Sequence, residues 1–221
     1  MVDFRHLSRL YAERFEPRHQ EQHQVMWRVL CRHFFQRYVR ATDTVLDLGA
    51  GLCGFVNWIE CRERIAVDPN PAVRQFAAEG VRVVHASSTD LGAIADASVD
   101  VVFASNFFEH LADKDALLQT LLECRRVLRS GGRLLVLQPN IRVVGGRYWD
   151  FLDHSLPLTE RTLVEALAVV DIRVREVRAR FLPYTTKSAI PQHPLLIRLY
   201  LLLRPAHWLL GGQAWVVGEK P

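Results

Sequence analysis

The chain has 221 residues, and 49% of them are hydrophobic, so it can bury the core of one domain and is not a globally disordered chain. Its 28 lysines and arginines exceed its 24 aspartates and glutamates by only four, without a basic block, which gives little support for nucleic-acid binding. The longest apolar run, 195–210, is interrupted by arginines and proline and is shorter than the roughly 20 residues that span a bilayer. We therefore predict no transmembrane segment.

The first residues are charged and no apolar stretch follows them, so they do not resemble a secretory signal. The four cysteines lie far apart without a CxxC pair. These features predict a cytoplasmic protein with reduced thiols, and no metal site is predicted. We expect the helix within the segment 194–210 to pack against the rest of the fold. If it is exposed instead, it should act as an interfacial helix that brings peripheral membrane contact.

The predicted elements begin with an amphipathic helix over 17–39, part of an N-terminal helical extension over 1–41. Short apolar runs then alternate with helical ones. Strands are predicted at 44–48, 64–68, 81–85, 99–104 and 133–138, and helices at 54–60, 72–79 and 113–128. This alternation indicates βαβ units and a parallel sheet.

The last third of the chain has a different composition. A helix is predicted from about residue 159, with Thr162 and Glu165 as a capping box. A strand at 172–179, a proline-containing loop at 181–194, a helix and a strand at 214–217 follow. We expect the segments 139–158 and 180–211 to be insertions on the substrate side.

A glycine-rich turn follows the first strand in Asp47-Leu48-Gly49-Ala50-Gly51. The pattern Gly49-x-Gly51-x-x-Gly54 also fits a dinucleotide-binding turn, but it is weak alone. Asp47 would repel a pyrophosphate and attract an ammonium group, which S-adenosylmethionine (SAM) carries and NAD does not. Asp68 ends the second strand, where a carboxylate can accept both ribose hydroxyls. These residues predict a nucleoside cofactor and favour SAM.

Five segments in order, VLDLGAG, IAVDPNP, VVHASSTDL, DVVFASNFFEHL and RRVLRSGGRLLVLQPN, resemble class I SAM-dependent methyltransferases over about 42–140. The resemblance implies an α/β fold with a doubly wound, mostly parallel seven-stranded sheet whose last strand is antiparallel, within a methyltransferase domain over 42–221. It implies the cofactor contacts Asp47, Gly49, Ala50, Gly51, Asp68, Pro69, Ser87, Ser88, Thr89 and Asn106. The sequence departs from the family pattern at two places: Cys53 takes the place of the third glycine, and Ser87 that of an acid.

The segment after the fifth strand should overhang the transferable methyl group, because it follows the carboxyl end of that strand. The candidate catalytic residues are His154, Asp153 and His110, since histidine can accept a proton near neutral pH. The candidate substrate-binding residues are Asn140, Arg142, Tyr148, Trp149, Tyr184 and Lys187. The chain lacks the Asn/Asp-Pro-Pro-aromatic signature after the fourth strand, which argues against methylation of DNA bases.

The leading hypothesis is a SAM-dependent methyltransferase that acts at oxygen or nitrogen of a small-molecule, sugar or lipid-linked acceptor. A nicotinamide-dependent oxidoreductase is the first alternative, suggested by the glycine pattern and Asp68. The second is a non-catalytic subunit with the same fold that binds or regulates a partner. The oligomeric state is not predicted.

Overall fold

A computed structural model describes residues 17–184 and 193–221 of the chain. A single seven-stranded sheet organises them, in the order β3-β2-β1-β4-β5-β7-β6. The strands are β1 (Thr44–Leu48), β2 (Glu63–Asp68), β3 (Val81–His85), β4 (Val99–Ser105), β5 (Leu128–Pro139), β6 (Arg173–Arg178) and β7 (Gln213–Glu219). Only β7 runs against its neighbours β5 and β6. The predicted fold is confirmed.

The central strand β1 determines where a ligand can bind. It pairs in parallel with β2 on one side and with β4 on the other, and all five of its residues are buried. The chain order along the sheet therefore reverses between β1 and β4. In an open α/β sheet, the carboxyl ends of the strands at such a reversal form the usual ligand crevice. Asp47 lies at this end of β1.

Helices cover both faces of the sheet. They are α1 (Pro17–His33), α2 (Lys114–Val127), the one-turn α3 (Ile141–Val144), α4 (Glu160–Val169), α5 (Pro194–Leu202) and α6 (Arg204–Leu210). Four short 3-10 helices occupy Phe35–Tyr38, Pro71–Gln75, Phe108–His110 and Gly145–Asp150. None of the helices in the described ranges is both long and apolar enough to span a bilayer.

Two predicted helices are wrong, and a third starts differently. The chain over 54–60 forms turns, since Cys53 already has a φ of 56° and leaves helical geometry. Residues 72–79 contribute only to the 3-10 helix Pro71–Gln75, whose first turn is capped by the Asn70 side chain. Helix α4 is capped by Thr159, which accepts from the Thr162 N–H at 3.0 Å, and not by Thr162.

The sheet separates two apolar clusters. On one face, α2 and α4 pack through residues such as Leu121 and Leu163. On the other face, α1 packs through an aromatic cluster in which Phe55 stacks on Phe103 at 3.8 Å between ring centroids and Trp27 meets Phe103 edge-on at 5.9 Å. The helix predicted within the N-terminal extension is thus part of the core that supports β1 and β4, while residues 1–16 lie outside the described range.

Candidate active site

The glycine-rich turn after β1 depends on two positive backbone angles. Gly49 has a φ of 70° and Gly51 a φ of 52°, a region that residues with a Cβ rarely adopt. Both the Gly49 and Ala50 N–H groups donate to the carbonyl of Val67, at 2.9 and 3.2 Å. A Cβ added at Gly49 would lie 2.4 Å from the ring of Phe107, in the loop after β4. The turn therefore lies directly against the end of β4.

Two buried carboxylates flank this turn. Asp47 is 4% exposed and accepts from the Val56 N–H at 3.2 Å, while burial raises the pKa of its carboxyl to about 8. Asp68 accepts from the N–H groups of Gly51 at 2.9 Å and Asn70 at 2.8 Å, and burial raises its pKa as well. The pair therefore forms an acidic pocket wall that a cationic ligand group would relieve.

The third glycine of the sequence pattern has a packing role. A Cβ added at Gly54 would lie 2.4 Å from the indole ring of Trp27 in α1. Cys53, in the position where the family pattern has a glycine, is fully buried and adopts the positive φ itself. The glycine is thus found one position later, at Gly54, where the close approach of α1 leaves no room for a side chain.

The residues expected around adenine and methionine divide into two groups. Ser87 and Thr89 are linked by a 2.8 Å hydrogen bond between their hydroxyls on the exposed side of their loop. Ser88 instead turns inward and bonds the hydroxyl of Thr120 in α2 at 2.9 Å, so its side chain is not directed at the same space. Asn106 is exposed, has a φ of 48°, and its amide donates to Ser105 Oγ at 3.0 Å. Pro69 offers only its carbonyl, which contacts His85 Nε2 at 2.6 Å.

The candidate catalytic residues meet, but in a different pairing from the one their sequence adjacency suggests. His110 Nδ1 lies 3.0 Å from the carbonyl oxygen of Asp153 and 3.4 Å from its carboxylate. The ring of His154 lies 5.2 Å from that of His110, and the ring of Phe151 stacks on His154 at 4.9 Å. The loop after β4 and the segment after β5 therefore contribute jointly to one cluster.

Two of the expected acceptor contacts, Asn140 and Tyr148, are buried. Asn140 is 0% exposed, and its amide donates to Glu160 at 2.6 Å and to the Ala179 carbonyl at 2.9 Å, which joins three segments of the chain. Tyr148 is also 0% exposed, and its hydroxyl donates to the Leu156 carbonyl at 2.5 Å. Both side chains brace the segment after β5 from within through these hydrogen bonds.

The other expected acceptor contacts lie nearer the surface. Arg142 is half-exposed and pairs with Glu160 at 2.9 Å. Trp149 is 53% exposed, and Tyr184 donates to the Arg147 carbonyl at 3.1 Å. Lys187 lies outside the described residues.

The comparisons with known proteins agree with this geometry. Residues 46–136 match a family model described as a methyltransferase domain, and this stretch includes the glycine turn, both carboxylates and the loop after β4. Over residues 46–136 the chain therefore resembles a methyltransferase domain. The predicted resemblance is confirmed.

Relatives of the methyltransferase domain include an uncharacterized methyltransferase of Schizosaccharomyces pombe, with 30% identity over 48% of this chain and 44% of that protein. The chain thus spans less than half the length of that relative. A SAM-dependent methyltransferase of Thermotoga maritima has a TM-score of 0.65 at 18% identity, covering 96% of this chain and 98% of that one. One from Archaeoglobus fulgidus has a TM-score of 0.63 at 21% identity, covering 87% and 92%. At these identities the two solved structures share the fold.

Two buried polar side chains of the methyltransferase domain were not assigned a role from the sequence. Glu109 is 1% exposed, and its Oε2 has no hydrogen-bond partner. Gln138, at the carboxyl end of β5, is equally buried and neither of its amide atoms has a hydrogen-bond partner. These two residues could not be recognised from the sequence, because it shows neither the burial of a Glu or Gln side chain nor whether its polar atoms have hydrogen-bond partners. Buried polar atoms of this kind indicate a ligand or water position.

A basic groove and an apolar surface lie side by side near β6, outside the matched stretch 46–136. The groove has a volume of about 760 Å³, and Arg142, Arg178, Arg180 and Arg204 line it together with Trp208. The apolar surface consists of α5 and α6, none of whose leucines is buried. Its large exposed side chains are Leu195, Leu196, Leu199, Leu202, Leu203, Trp208, Leu209 and Leu210.

Proposed function

We propose that the protein transfers the methyl group of SAM to an oxygen or nitrogen atom of a lipid-linked acceptor at a membrane surface. The observation that carries the methyl-transfer part is the buried pair Asp47 and Asp68 on either side of the glycine turn. A cationic amino-acid group fits this wall, whereas a pyrophosphate would be repelled. This charge pattern disfavours a nicotinamide dinucleotide.

The roles proposed for the cofactor residues follow from their positions. Asp47 would receive the ammonium of SAM, and the chain at Gly49, Ala50 and Gly51 would pass close to the methionine portion. Asp68 would exchange part of its bonding to the Gly51 and Asn70 N–H groups for the ribose hydroxyls. The further contacts proposed are Pro69 beside the ribose, Ser87 and Thr89 beside adenine, the backbone of Ser88, and Asn106 near the sulfonium.

On the acceptor side, we assign the chemical role to the cluster of His110, Asp153 and His154. Methyl transfer needs an acceptor atom with a free electron pair that points at the methyl carbon. That electron pair forms the new bond as the S–CH3 bond breaks, and the sulfur keeps the old bonding pair. An acceptor hydroxyl must also lose its proton, and this cluster lies where the loop after β4 meets the segment after β5. Trp149 and Tyr184 are the proposed contacts at its rim.

The lipid-linked nature of the acceptor is supported by α5 and α6. Leu202 is 77% exposed, Leu209 69% and Trp208 70%. Burial of one such leucine in lipid would gain roughly 2 kcal/mol relative to water, so several together suffice for reversible adhesion. The arginines of the adjacent groove would add attraction to anionic headgroups or to a phosphate on the acceptor.

Two measurements test this proposal separately. Calorimetry with SAM and with S-adenosylhomocysteine, its demethylated product, tests the cofactor part, and we expect one site per chain for both. If the protein bound neither compound, methyl transfer would be refuted.

The lipid part is tested with radiolabelled SAM and a cell lipid extract, and we expect label in the solvent-extractable lipid fraction. Label confined to water-soluble products would refute a lipid-linked acceptor while leaving methyl transfer intact.

Vesicle flotation tests the membrane contact with matched variants. The full chain should float with vesicles that contain phosphatidylglycerol, and the double variant Leu202→Ser with Leu209→Ser should float at least tenfold less. The control is Leu122→Ser with Val169→Ser, which removes two exposed apolar side chains elsewhere. Equal loss in both double variants, or no flotation of the wild type, would contradict a dedicated membrane surface.

A further inference from the structure

We propose that Glu109, His110 and His154 bind one divalent transition-metal ion of the Zn2+ type, with a coordination position left open for an oxygen atom of the acceptor. Each of these side chains offers one ligand atom, and the three atoms lie within 4.8 Å of one another. A tetrahedral ion with bonds of about 2.0–2.2 Å would draw them to roughly 3.5 Å apart, a movement of about an ångström.

Glu109 provides the first independent support. Its side chain is 1% exposed, and its Oε2 has no hydrogen-bond partner. An unpaired buried carboxylate costs several kcal/mol, and coordination of a cation is one of the few arrangements that offsets the cost.

His110 is already oriented as a metal ligand would be. Its Nδ1 faces the carbonyl oxygen of Asp153 at 3.0 Å and the carboxylate at 3.4 Å, which leaves Nε2 for an ion. Histidines bound to metals usually donate their second ring N–H to a carbonyl or carboxylate, which fixes the ring. Asp153 thus acts as a positioning residue.

The backbone brings the third ligand to the other two. The N–H groups of Ser155 and Leu156 donate to the carbonyl of Glu109, at 2.8 and 3.0 Å. These bonds fasten the segment after β5 to the loop after β4, with His154 directly before them. The rings of Phe151 and Tyr148 lie 4.9 and 4.7 Å from that of His154 and give the site apolar walls.

The ligand set determines the class of ion. Two imidazoles and one carboxylate suit Zn2+, Co2+ or Mn2+, whereas Mg2+ and Ca2+ require mainly oxygen ligands. Three protein ligands around Zn2+ leave a fourth position, as in zinc sites that hold a water or substrate. Glu109 contributes one negative charge, so the site keeps a net positive charge when a divalent ion is bound. This positive charge would stabilise the oxygen of an acceptor hydroxyl as it loses its proton.

The role toward the acceptor rests on the proposed function, while ion binding itself does not. An acceptor hydroxyl bound to the ion would have a lowered pKa and release its proton to water. Its oxygen would then form the new bond to the methyl carbon as described above. Phe107 lies against the glycine turn two residues before Glu109, so the ion site is close to the cofactor edge.

The test uses the full chain after treatment with a chelator. Calorimetry with ZnCl2 should show one site, MgCl2 at the same concentration should show none, and CoCl2 should give visible absorption of a four- or five-coordinate complex. Glu109→Gln and His154→Ala should each weaken Zn2+ binding at least 100-fold, and Asp153→Asn about 10–100-fold. His33→Ala, which removes an exposed histidine of α1, should change nothing.

The outcomes separate this proposal from the proposed function. Calorimetry with SAM is run on every variant, so retained SAM binding shows that the variant is folded and that only ion binding is lost. The wild type failing to bind Zn2+, or Glu109→Gln binding it as tightly as His33→Ala, would overturn the site. Zn2+ binding without any SAM binding would leave the site standing and refute methyl transfer.

Discussion

The cofactor edge around Asp47, Gly49 and Asp68 and the acceptor cluster of Glu109, His110 and His154 adjoin each other but are built differently. The cofactor edge consists of one continuous turn between two paired strands, and its geometry is set by backbone angles. The acceptor cluster joins two loops that follow β4 and β5, and its geometry is set by side-chain packing.

This difference predicts different sensitivities to mutation. A backbone turn with positive φ tolerates almost no side chain, so changes there should remove cofactor binding outright. A cluster of side chains can lose one member and keep its fold, so changes there should alter chemistry or ion binding and leave cofactor binding unchanged. The comparison can be tested by one substitution at a time, beginning with the turn.

The largest effect is expected for Gly49→Ala. The new Cβ would lie 2.4 Å from the Phe107 ring and would force the loop after β4 away from the turn. SAM binding, measured by calorimetry, should fall below detection. The matched control is Gly131→Ala, where φ is 75° but no atom lies within 4 Å of the new Cβ. Both variants bear a backbone strain of about 1–2 kcal/mol, but only Gly49 lies at the cofactor edge, so Gly131→Ala controls for the effect of such strain on the stability of the fold. Loss of SAM binding in Gly131→Ala as well would show that reduced stability, and not contact with Phe107, is responsible.

Asp47→Asn should have the next largest effect, and its size should depend on pH. Burial holds the pKa of Asp47 near 8, so between about pH 4 and 8 the unliganded folded protein keeps a proton that the unfolded chain releases. Its stability should therefore fall as the pH rises through this window. The ammonium of SAM favours the ionised carboxylate, so SAM affinity should rise from pH 6 to pH 8.

The Asn variant separates these effects. At pH 8 it should bind SAM about 10–100-fold more weakly, the usual value of a hydrogen bond to a charged group. At pH 6 the two proteins should differ less, because the wild-type carboxyl is then largely neutral. Calorimetry in buffers of different ionisation enthalpy would report the proton released on binding. A variant whose affinity follows the same pH curve as the wild type would contradict the assignment of Asp47.

The cofactor edge was the more predictable of the two regions for a physical reason. Strand β1 and the turn after it are encoded by neighbouring residues, so the acidic residue and the glycines indicated both geometry and charge from the sequence. The contact between Gly54 and Trp27 could not be inferred in this way, since it depends on how α1 packs against the sheet. The mostly parallel sheet followed from the alternation of strands and helices, and its seven strands with an antiparallel last strand followed from the family resemblance.

The acceptor cluster was only partly predictable, because its residues are distant in the sequence. Asp153, His154 and His110 were all candidates from the sequence, but the contact between His110 and Asp153 joins residues 43 positions apart and could not be inferred from it. The polar character of Asn140 and Tyr148 suggested contact with an acceptor, but both are fully buried. Polar residues in loops have the same sequence signal whether they bind a ligand or brace the fold, and only the hydrogen-bond partners seen in the structure distinguish Asn140 from Glu109.

Asn140→Ala tests that distinction with the smallest expected change. The substitution removes hydrogen bonds to Glu160 and Ala179 inside the protein and should reduce the free energy of unfolding by about 2–3 kcal/mol. Arg142→Ala removes a half-exposed ion pair to the same Glu160 and should cost about 1 kcal/mol or less. Both free energies come from urea denaturation, and SAM affinity should be unchanged in each variant. If Asn140 also contacted the acceptor, Asn140→Ala would raise the KM for the acceptor in addition to lowering stability. If Arg142→Ala instead lowered the free energy of unfolding as much as Asn140→Ala, the buried Glu160 would depend chiefly on its ion pair with the arginine. The segment after β5 would then be held in place by charge and not by Asn140.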